Sequence, residues 1–473
     1  MSETQIRARF STLPQGDWEA GGLQELRDPG NIGELVGRYP LLDTAVVDAA
    51  VARAATAQSG WAAMSPLERW DLISRGADAV DASRLATLLV LEQGKPIGEA
   101  RLEAGSLRVV ADRYRAQAEW LAEQTSQGAA SGVRYTPYGV AGVITPWNWP
   151  VRIACALTVP ALPAGNSVVL HLAPSAPLTA LAVFTELSRA LPEGVLTVLT
   201  HPSPEIASAL VAHPGVRKIA FTGSTQVGGL VMSNAAATLK NVTLELGGND
   251  PAVLLDDAVL DDALADALIE ATFQTSGQVC MAVKRLYAPR AMVPDLADLL
   301  RSRLDAQVVG HGLAAETTMG PLHNEKQLRF VKDLVARSSS EKVVEAGRFG
   351  TDPTAGWYML PTLVIGADQA SPLVQDEQFG PALPIVAYDS EDEAVSMAND
   401  SEFGLCSSIW SADPERAFGV ATRIEAGTTW INKHGARAQD PEAPFGGVKR
   451  SGVGRISGRS GLLSFLEPHS ILL

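Results

Sequence analysis

The chain has 473 residues, of which 46% are apolar and 19% charged, a composition that excludes a disordered or fibrous protein. Its 38 Lys and Arg against 53 Asp and Glu leave a net charge of −15, which argues against binding to the phosphates of nucleic acid or of an anionic membrane. Three widely spaced cysteines, Cys155, Cys280 and Cys406, exclude a disulfide framework and a paired-cysteine metal site, and they fit a reducing cytoplasm.

The N-terminal part, to about Ala118, is predicted to be mostly helical. An alanine-rich run predicts a helix over 46–63, and Ser65 before Pro66 predicts the start of the next helix. Gly94, with a proline two residues later, predicts where that second helix ends.

Residues 153–185 contain no Lys, Arg, Asp or Glu and are long enough to cross a membrane. Four prolines and a Gly-Asn pair interrupt this stretch, and a membrane-spanning helix does not tolerate such a cluster. We therefore predict a helix, a tight turn, a buried strand and a loop, with no membrane-spanning or targeting segment in the chain.

From about Tyr135 short apolar strands alternate with helices, which predicts a parallel α/β sheet. The strands of this first region are predicted at 140–144, 167–170, 195–199, 218–221 and 242–246, with helices at 178–190 and 204–211. A second α/β region follows, with helices predicted at 260–273, 293–307 and 324–338 and strands at 284–288, 363–365 and 383–388.

Three stretches carry side chains suited to catalysis. Cys280 follows a glycine-bearing turn, which could hold a thiol at an open cleft, although packing is an equally good interpretation. Asn148 lies in the rigid turn Pro-Trp-Asn-Trp-Pro and could donate to an oxyanion, although turn asparagines are common. Glu245 ends an apolar strand, where burial would raise its pKa toward that of a general base; the alternative is a surface carboxylate.

A fourth stretch, residues 221–228, follows a strand, precedes a helix and contains glycine and hydroxyl side chains. A helix start of this kind can bind a phosphate or pyrophosphate. The G-x-G-x-x-G spacing is absent from the chain, so this signal alone is weak.

Together these stretches resemble the aldehyde dehydrogenase family, and the resemblance extends in order over nearly the whole chain. The motifs that carry it are 92–96 (EQGKP), 146–150 (PWNWP), 221–228 (FTGSTQVG), 244–248 (LELGG), 277–280 (GQVC), 377–381 (EQFGP), 430–432 (WIN) and 444–449 (PFGGVK).

The resemblance implies a thiol mechanism, in which an aldehyde is oxidised to its acid and a hydride is transferred to NAD or NADP. Cys280 would attack the aldehyde, Asn148 and the Cys280 backbone N–H would stabilise the oxyanion, and Glu245 would activate the water that hydrolyses the thioester. The residues that match the family's cofactor site are Ile144, Thr145, Pro146, Trp147, His171, Ala173, Pro174, Phe221, Gly223, Ser224, Leu246, Gly247, Glu377 and Phe379.

One departure from the family pattern concerns the cofactor. Where the family usually has Lys-Pro-Ser-Glu, whose Lys and Glu hold the adenosine ribose, this chain has His171-Leu172-Ala173-Pro174. Because the Lys and Glu that hold the ribose are missing, we predict weak binding of NAD. Because no carboxylate is present to repel a 2′-phosphate, we also predict tolerance of NADP. The alternative is that other contacts hold NAD.

The sequence indicates the substrate less clearly than the cofactor. By family position the aldehyde tunnel is lined by Trp149, Arg152, Gln274, Val279 and Phe445. Two aromatic residues suit a flat or apolar aldehyde, whereas Arg152 would suit a carboxylate-bearing semialdehyde, unless it points to solvent.

The family fold implies a Rossmann-like cofactor domain, an α/β catalytic domain and a small β oligomerisation arm. We assign 1–118 and 138–248 to the cofactor domain, 249–448 to the catalytic domain, and 119–137 and 449–473 to the arm and C-terminal segment. A strand-bearing arm needs a partner, so a cytoplasmic homodimer or homotetramer is expected. No metal, nucleic acid or membrane is expected to bind.

Two alternatives remain. A CoA-acylating relative usually lacks the general-base glutamate, which is present here as Glu245. A non-catalytic homologue serving as a binding or structural protein is disfavoured because Cys280, Glu245 and Asn148 are all retained.

Overall fold

The computed structural model describes residues 22–41, 44–126, 132–338 and 340–472. The described portion of the N-terminal part contains a hairpin and five helices: β1 (Leu23–Asp28), β2 (Asn31–Pro40), α1 (Ala45–Ala63), α2 (Pro66–Asp78), α3 (Ala82–Gln93), α4 (Ile97–Ala104) and α5 (Ser106–Ser126). The hairpin was not predicted. About half of its strand residues are exposed and the buried ones do not alternate regularly, so the strands lack a regular apolar pattern. Its turn is stabilised by the Asp28 carboxylate, which accepts from Gly30 N at 2.7 Å.

The helix predicted to run from Ser65 to Gly94 is in fact two helices. The predicted start is confirmed, since Ser65 and Glu68 form a reciprocal capping box at the beginning of α2. Asp81 then caps a new helix by accepting from Arg84 N, which separates α3 from α2. The predicted end is also confirmed, because Gly94 adopts φ +101°, a conformation that favours glycine.

The first large sheet contains six strands in the order β18-β8-β7-β4-β5-β6. Its five parallel strands alternate with helices: β4 (Val140–Ile144), α6 (Pro150–Ala161), β5 (Ser167–Leu172), α7 (Leu178–Ala190), β6 (Leu196–Thr200), α8 (Pro204–Ala212), β7 (Lys218–Thr222), α9 (Thr225–Ala236) and β8 (Asn241–Glu245). Every strand and helix predicted for this region is confirmed, as is the helix-turn-strand interpretation of the uncharged stretch 153–185. All residues of β4, β5, β6 and β7 are buried, as expected for strands covered on both faces.

The second large sheet contains seven strands in the order β12-β14-β15-β10-β9-β16-β17. The elements of this region are β9 (Asp250–Leu254), α10 (Asp262–Phe273), β10 (Val283–Pro289), α11 (Val293–Leu304), β11 (Val308–Val309), α12 (Glu325–Ala336), β12 (Lys342–Glu345), β13 (Arg348–Phe349), β14 (Thr362–Ile365), α13 (Pro372–Gln375), β15 (Ala382–Tyr388), α14 (Glu391–Asn399), β16 (Cys406–Trp410), α15 (Pro414–Ala421) and β17 (Thr428–Ile431). Within this seven-stranded sheet only β12 runs antiparallel. Two apolar clusters fill the core of this region.

The C-terminal segment returns to the first sheet through β18 (Gly452–Val453), α16 (Gly458–Leu463) and β19 (Leu466–Ile471). Strand β18 pairs with β8, and Phe465 joins the core of the first region. Strand β19 pairs antiparallel with β3 (Gly132–Pro137) to form a separate two-stranded ribbon. Within the segment predicted as the arm, 119–126 belongs to α5, while 127–131 lies outside the described residues, as do 1–21 of the predicted cofactor domain and residue 473.

Among the described residues, no helix combines the length and the apolar character needed to cross a membrane.

Candidate active site

A cleft of about 450 Å³ lies at the carboxyl ends of β4, β5, β7 and β8, where parallel α/β sheets bind their ligands. Both Asn148 and Cys280 line it. So do all the residues that the sequence predicts for the cofactor: Ile144, Thr145, Pro146, Trp147, His171, Ala173, Pro174, Phe221, Gly223, Ser224, Leu246, Gly247, Glu377 and Phe379. Four further residues line it: Thr222 and Val227, which lie in the predicted phosphate-binding stretch, and Ile153 and Gln327, which were not predicted.

The start of α9 forms a cradle that fits a pyrophosphate. Ser224, which lines the cleft, caps this helix by accepting from Val227 N, and the first backbone N–H groups of a helix are suited to bind an anion. A Cβ on Gly223 would lie 2.5 Å from the Phe221 ring, which shows why only glycine fits here. The neutral donors of this cradle suit the phosphates of a dinucleotide.

His171 lies at the end of β5 and is buried, and neither ring nitrogen has a hydrogen-bond partner among the described residues. Burial, with a smaller contribution from nearby His201, lowers the pKa of His171 to about 4, so the ring is neutral at pH 7. Its neighbour Pro174 uses its carbonyl to accept from Tyr39 Oη at 2.8 Å. This part of the cleft therefore offers unpartnered imidazole nitrogens.

Glu377 closes the cleft from the side of the second sheet. Its Oε1 accepts from Gly248 N at 3.1 Å, and a side chain on Gly247 would collide with its carboxylate. Burial raises the pKa of Glu377, and Lys284 opposes that shift from 3.7 Å. The Gly248 N–H therefore orients the Glu377 carboxylate, which makes no close ion pair with Lys284.

Aromatic rings form another wall of the cleft. Trp147 stacks on His323 with centroids 4.4 Å apart and meets the edge of Phe379 at 5.6 Å. Phe379 adopts φ +48°, which is unusual for an aromatic residue, and Gln327 donates to its carbonyl at 3.0 Å. This packing produces a rigid apolar surface beside Cys280.

The turn before Cys280 has an unusual backbone. Thr275, Ser276 and Gly277 have consecutive positive φ values of 51°, 58° and 73°. Glu99 stabilises the first of them, since it accepts from both Thr275 N and Thr275 Oγ1. A Cβ on Gly277 would collide with the carbonyl of Gly380, so the predicted glycine-bearing turn has a steric cause.

Buried donors bind the carbonyls of all four residues 278–281. Asn148 Nδ2 donates to the first at 2.8 Å, Lys284 Nζ to the second and third at 2.8 and 2.6 Å, and His434 Nε2 to the fourth at 3.0 Å. The N–H of Cys280 has no acceptor in the part of the chain that the structure describes. The loop is thus held through its carbonyls and presents a free N–H beside the thiol.

Burial raises the pKa of the Cys280 thiol to about 12, and Lys284 is the neighbour that lowers it. Burial also raises the thiol pKa of Cys155 and Cys406, both of which are enclosed in core packing. Only Cys280 lines the cleft.

Glu245 is buried, and neither of its carboxylate oxygens has a hydrogen-bond partner among the described residues. Burial raises its pKa well above the ordinary value, and Arg455 opposes that shift. A Cβ on Gly446 would lie 2.7 Å from Glu245 Oε1. The surface alternative for this residue is therefore wrong.

The Asn148 turn is anchored by a buried ion pair that was not predicted from the sequence. Lys95 donates to the Asn148 carbonyl at 2.9 Å and pairs with Glu103. Glu103 also accepts from Val151 N at the start of α6. Both charged side chains are fully buried, and their attraction offsets the free-energy cost of removing them from water. Their hydrogen bonds to the backbone hold the turn in place.

The residues predicted for the substrate tunnel do not line this cleft, although some lie near the thiol. Trp149 and Val279 pack together beside Met281, and Phe445 belongs to the cluster against which Cys280 packs. Gln274 lies in the short 3₁₀ turn that follows α10 and is partly exposed.

The remaining tunnel residue, Arg152, lies with its guanidinium 5.8 Å from the Trp149 ring centroid. Its side chain makes no hydrogen bond or ion pair with the described residues. Burial lowers its pKa, and repulsion by Arg113 adds to this shift. Arg113 and Ala156 line a small cavity of about 40 Å³, which also contains Glu442.

The chain is similar to known proteins in both sequence and structure. The model of the aldehyde dehydrogenase family matches residues 19–471. The chain is 36% identical to the geranial dehydrogenase of Castellaniella defragrans, with 93% of each chain covered. It is also 36% identical to succinate-semialdehyde dehydrogenase (NADP+) 1 of Schizosaccharomyces pombe, covering 86% of this chain and 82% of the relative. Betaine aldehyde dehydrogenase of Staphylococcus aureus, solved in complex with NAD+, superposes with a TM-score of 0.88 at 28% identity, covering 95% of this chain and 91% of that one.

Proposed function

The chain belongs to the aldehyde dehydrogenase family, and from this premise we propose that Cys280 is its nucleophile, with Asn148 and Glu245 as catalytic partners. The protein is an NAD(P)-dependent oxidoreductase that converts an aldehyde to a carboxylic acid. The assignment of Cys280 rests on the loop 278–281, whose carbonyls are all bound by buried donors while the Cys280 N–H stays free beside the cleft.

In the first step the Cys280 thiolate attacks the aldehyde carbon, a C–S bond forms, and the carbonyl electron pair moves to oxygen. Two donors meet this oxyanion, namely the free Cys280 N–H and the second N–H of the Asn148 amide, whose first N–H already donates to the carbonyl of Gln278. One such donor is typically worth about 3–4 kcal/mol in the transition state.

The cleft fits a dinucleotide, because the α9 cradle suits its pyrophosphate and the Trp147 wall suits a flat ring. When bound, the oxidised nicotinamide supplies the hydride acceptor. Glu377 is oriented by Gly248 N to accept from a ribose hydroxyl. The wall formed by Trp147 and Phe379 orients the ring and excludes water.

The thioester on Cys280 is then hydrolysed. Glu245 takes a proton from water, the resulting hydroxide attacks the thioester carbon, and the C–S bond breaks to return the thiolate. A carboxylate whose pKa is raised by burial is a stronger base than an exposed one, which suits this role. The presence of Glu245 also supports hydrolysis over acyl transfer to CoA.

For the cofactor, we propose that NADP is tolerated alongside NAD. His171, Ala173 and Pro174 put no carboxylate at the end of β5, the place where such folds commonly hold the adenosine ribose through an acidic side chain. A 2′-phosphate would therefore meet no repulsion from a carboxylate there, and the one N–H of the neutral His171 ring could donate to it. The S. pombe relative is named as an NADP+ enzyme.

For the substrate, we propose an aldehyde that bears a distal carboxylate. The guanidinium of Arg152 on α6 has no ion-pair partner among the described residues, and repulsion from Arg113 means that both would gain from an anion. Ala156, one turn later on α6, has a small side chain and lines a small cavity together with Arg113. One relative is named for succinate semialdehyde, which bears such a carboxylate, and another is named for geranial, which does not.

For assembly and location, we propose a homodimer or homotetramer in the cytoplasm. Among the described residues the β3–β19 ribbon has two strands, and such ribbons are marginal without a further partner. The three cysteines are unpaired, as a reducing compartment requires.

An aldehyde panel followed at 340 nm with NAD and NADP in parallel tests these proposals. We expect turnover with both cofactors and the highest kcat/KM for a semialdehyde. Cys280→Ala should abolish oxidation, while Cys155→Ala and Cys406→Ala should retain it. An active Cys280→Ala protein would overturn the mechanism, and a strong preference for NAD would overturn the cofactor proposal.

A further inference from the structure

Lys284 is a buried cation next to the nucleophile, and its side chain is only 2% exposed. It lies on β10, four residues after Cys280, and donates to the carbonyls of Val279 and Cys280 at 2.8 and 2.6 Å. An ammonium has three N–H donors, and its closest carboxylate contact in the described chain is to Glu377 at 3.7 Å. Its charge is therefore shared between the nucleophile loop and that carboxylate.

Three carboxylates near Cys280 oppose its ionisation. They are the carboxylates of Glu245, Asp250 and Glu377, and the thiol of Cys406 is a further neighbour. Arg455 acts on Glu245, and His434 lies 3.8 Å from Asp250. Among the described groups that act on the Cys280 thiol, Lys284 alone favours the thiolate.

We infer that Lys284 is a positioning residue whose charge keeps the Cys280 thiol ionisable before any cofactor binds. The two carbonyls could be bound by a neutral donor, since hydrogen bonds need no net charge. Burying a lysine without a close carboxylate is costly, so the charge itself has a use at this place. The inference rests on the proposed function only in taking Cys280 as the nucleophile.

The test measures the thiol directly and without turnover. In a Cys155→Ala/Cys406→Ala background, with no cofactor or aldehyde, the rate of alkylation of Cys280 by iodoacetamide is followed against pH, and peptide mapping confirms the site. We expect Lys284→Gln, which keeps a donor but removes the charge, to move the titration upward by about one unit or more. At a fixed pH below the titration, alkylation should slow about tenfold.

Two variants serve as controls. Lys284→Arg keeps the charge and should leave the titration close to that of the parent. Lys218→Met removes another buried lysine, on β7, whose ammonium donates to Asn241 and Thr243, and it should leave the thiol unchanged.

An unchanged titration in Lys284→Gln would overturn the inference and leave Lys284 as an anchor for carbonyls alone. The same holds if Lys284→Arg raises the titration as far as Lys284→Gln does. Failure of the proposed function is distinguishable, because it would appear as aldehyde oxidation by Cys280→Ala, whatever the alkylation profile.

Discussion

Glu99 accepts hydrogen bonds from the backbone N–H of Thr275 at 3.1 Å and from its hydroxyl at 2.6 Å, although the two residues lie 176 positions apart. The contact ties α4 to the turn that carries Cys280, at a residue with φ +51°. A non-glycine residue in that conformation is strained by about 1–3 kcal/mol and needs such support.

We therefore expect Glu99→Ala to release the turn. The free energy of unfolding should fall by about 1–3 kcal/mol, because two buried donors lose their acceptor. The kcat should fall as well, while KM for the cofactor changes little, because Glu99 does not line the cleft. Thermal melting and steady-state kinetics measure both, and an unchanged kcat would show that the turn keeps its shape without this contact.

Glu245→Gln is expected to block hydrolysis and spare the oxidation step. One equivalent of reduced cofactor should form in a rapid burst, followed by turnover slowed about 10²–10⁴-fold. In the parent enzyme the base must be deprotonated, so kcat should rise with pH through the raised pKa of Glu245. Stopped-flow absorbance at 340 nm separates the phases; absence of a burst, or full turnover by the variant, would contradict this role.

His171 is expected to make NADP binding depend on pH. The ring is neutral at pH 7, with a pKa of about 4, and a phosphate dianion beside it would favour the protonated form. Affinity for NADP should therefore increase as pH falls from 8 to 6, while affinity for NAD stays nearly constant.

Cofactor binding can be followed by quenching of tryptophan fluorescence, independently of turnover. His171→Gln should remove the difference between the two cofactors, whereas His201→Gln, at the neighbouring histidine, should preserve it. Equal pH dependence for NAD and NADP in the parent would show that His171 does not meet the 2′-phosphate.

The motifs in the sequence predicted the cleft well, because Asn148, Cys280 and Gly223 lie in local turns whose shape depends on nearby residues. His434 and Glu99 were not predicted, since each acts through a contact that forms only after distant segments pack. Lys284 was not predicted either, because its contacts to the nearby carbonyls of Val279 and Cys280 depend on how the loop folds back, which no motif indicates. The hairpin 23–40 was missed for a related reason: its strands are stabilised by a turn and by neighbouring helices, and they lack an alternating apolar pattern.

Arg152→Met is expected to discriminate between aldehyde classes. Loss of a charge-assisted hydrogen bond of about 1.5–3 kcal/mol should raise KM for succinate semialdehyde about ten- to a hundredfold. KM for hexanal should stay within about twofold, since an alkyl chain gains nothing from a guanidinium. Arg115→Met, at an exposed arginine of α5 paired with Glu119, is the matched control. Equal effects on both aldehydes would mean that Arg152 supports packing on Trp149 and does not recognise an anion.

Gly277→Ala is expected to damage both stability and activity. Its φ of +73° is costly for alanine, and the added methyl group would collide with the carbonyl of Gly380. The unfolding free energy should fall by about 1–3 kcal/mol, and kcat should fall by at least tenfold as the loop 278–281 shifts. Gly98→Ala is the matched control, because this helical glycine of α4 has open space around its Cα, and alanine there should raise stability by about 0.5–1 kcal/mol. If Gly277→Ala kept full activity, as the control is expected to, the backbone of the turn would not be what holds Cys280 in place.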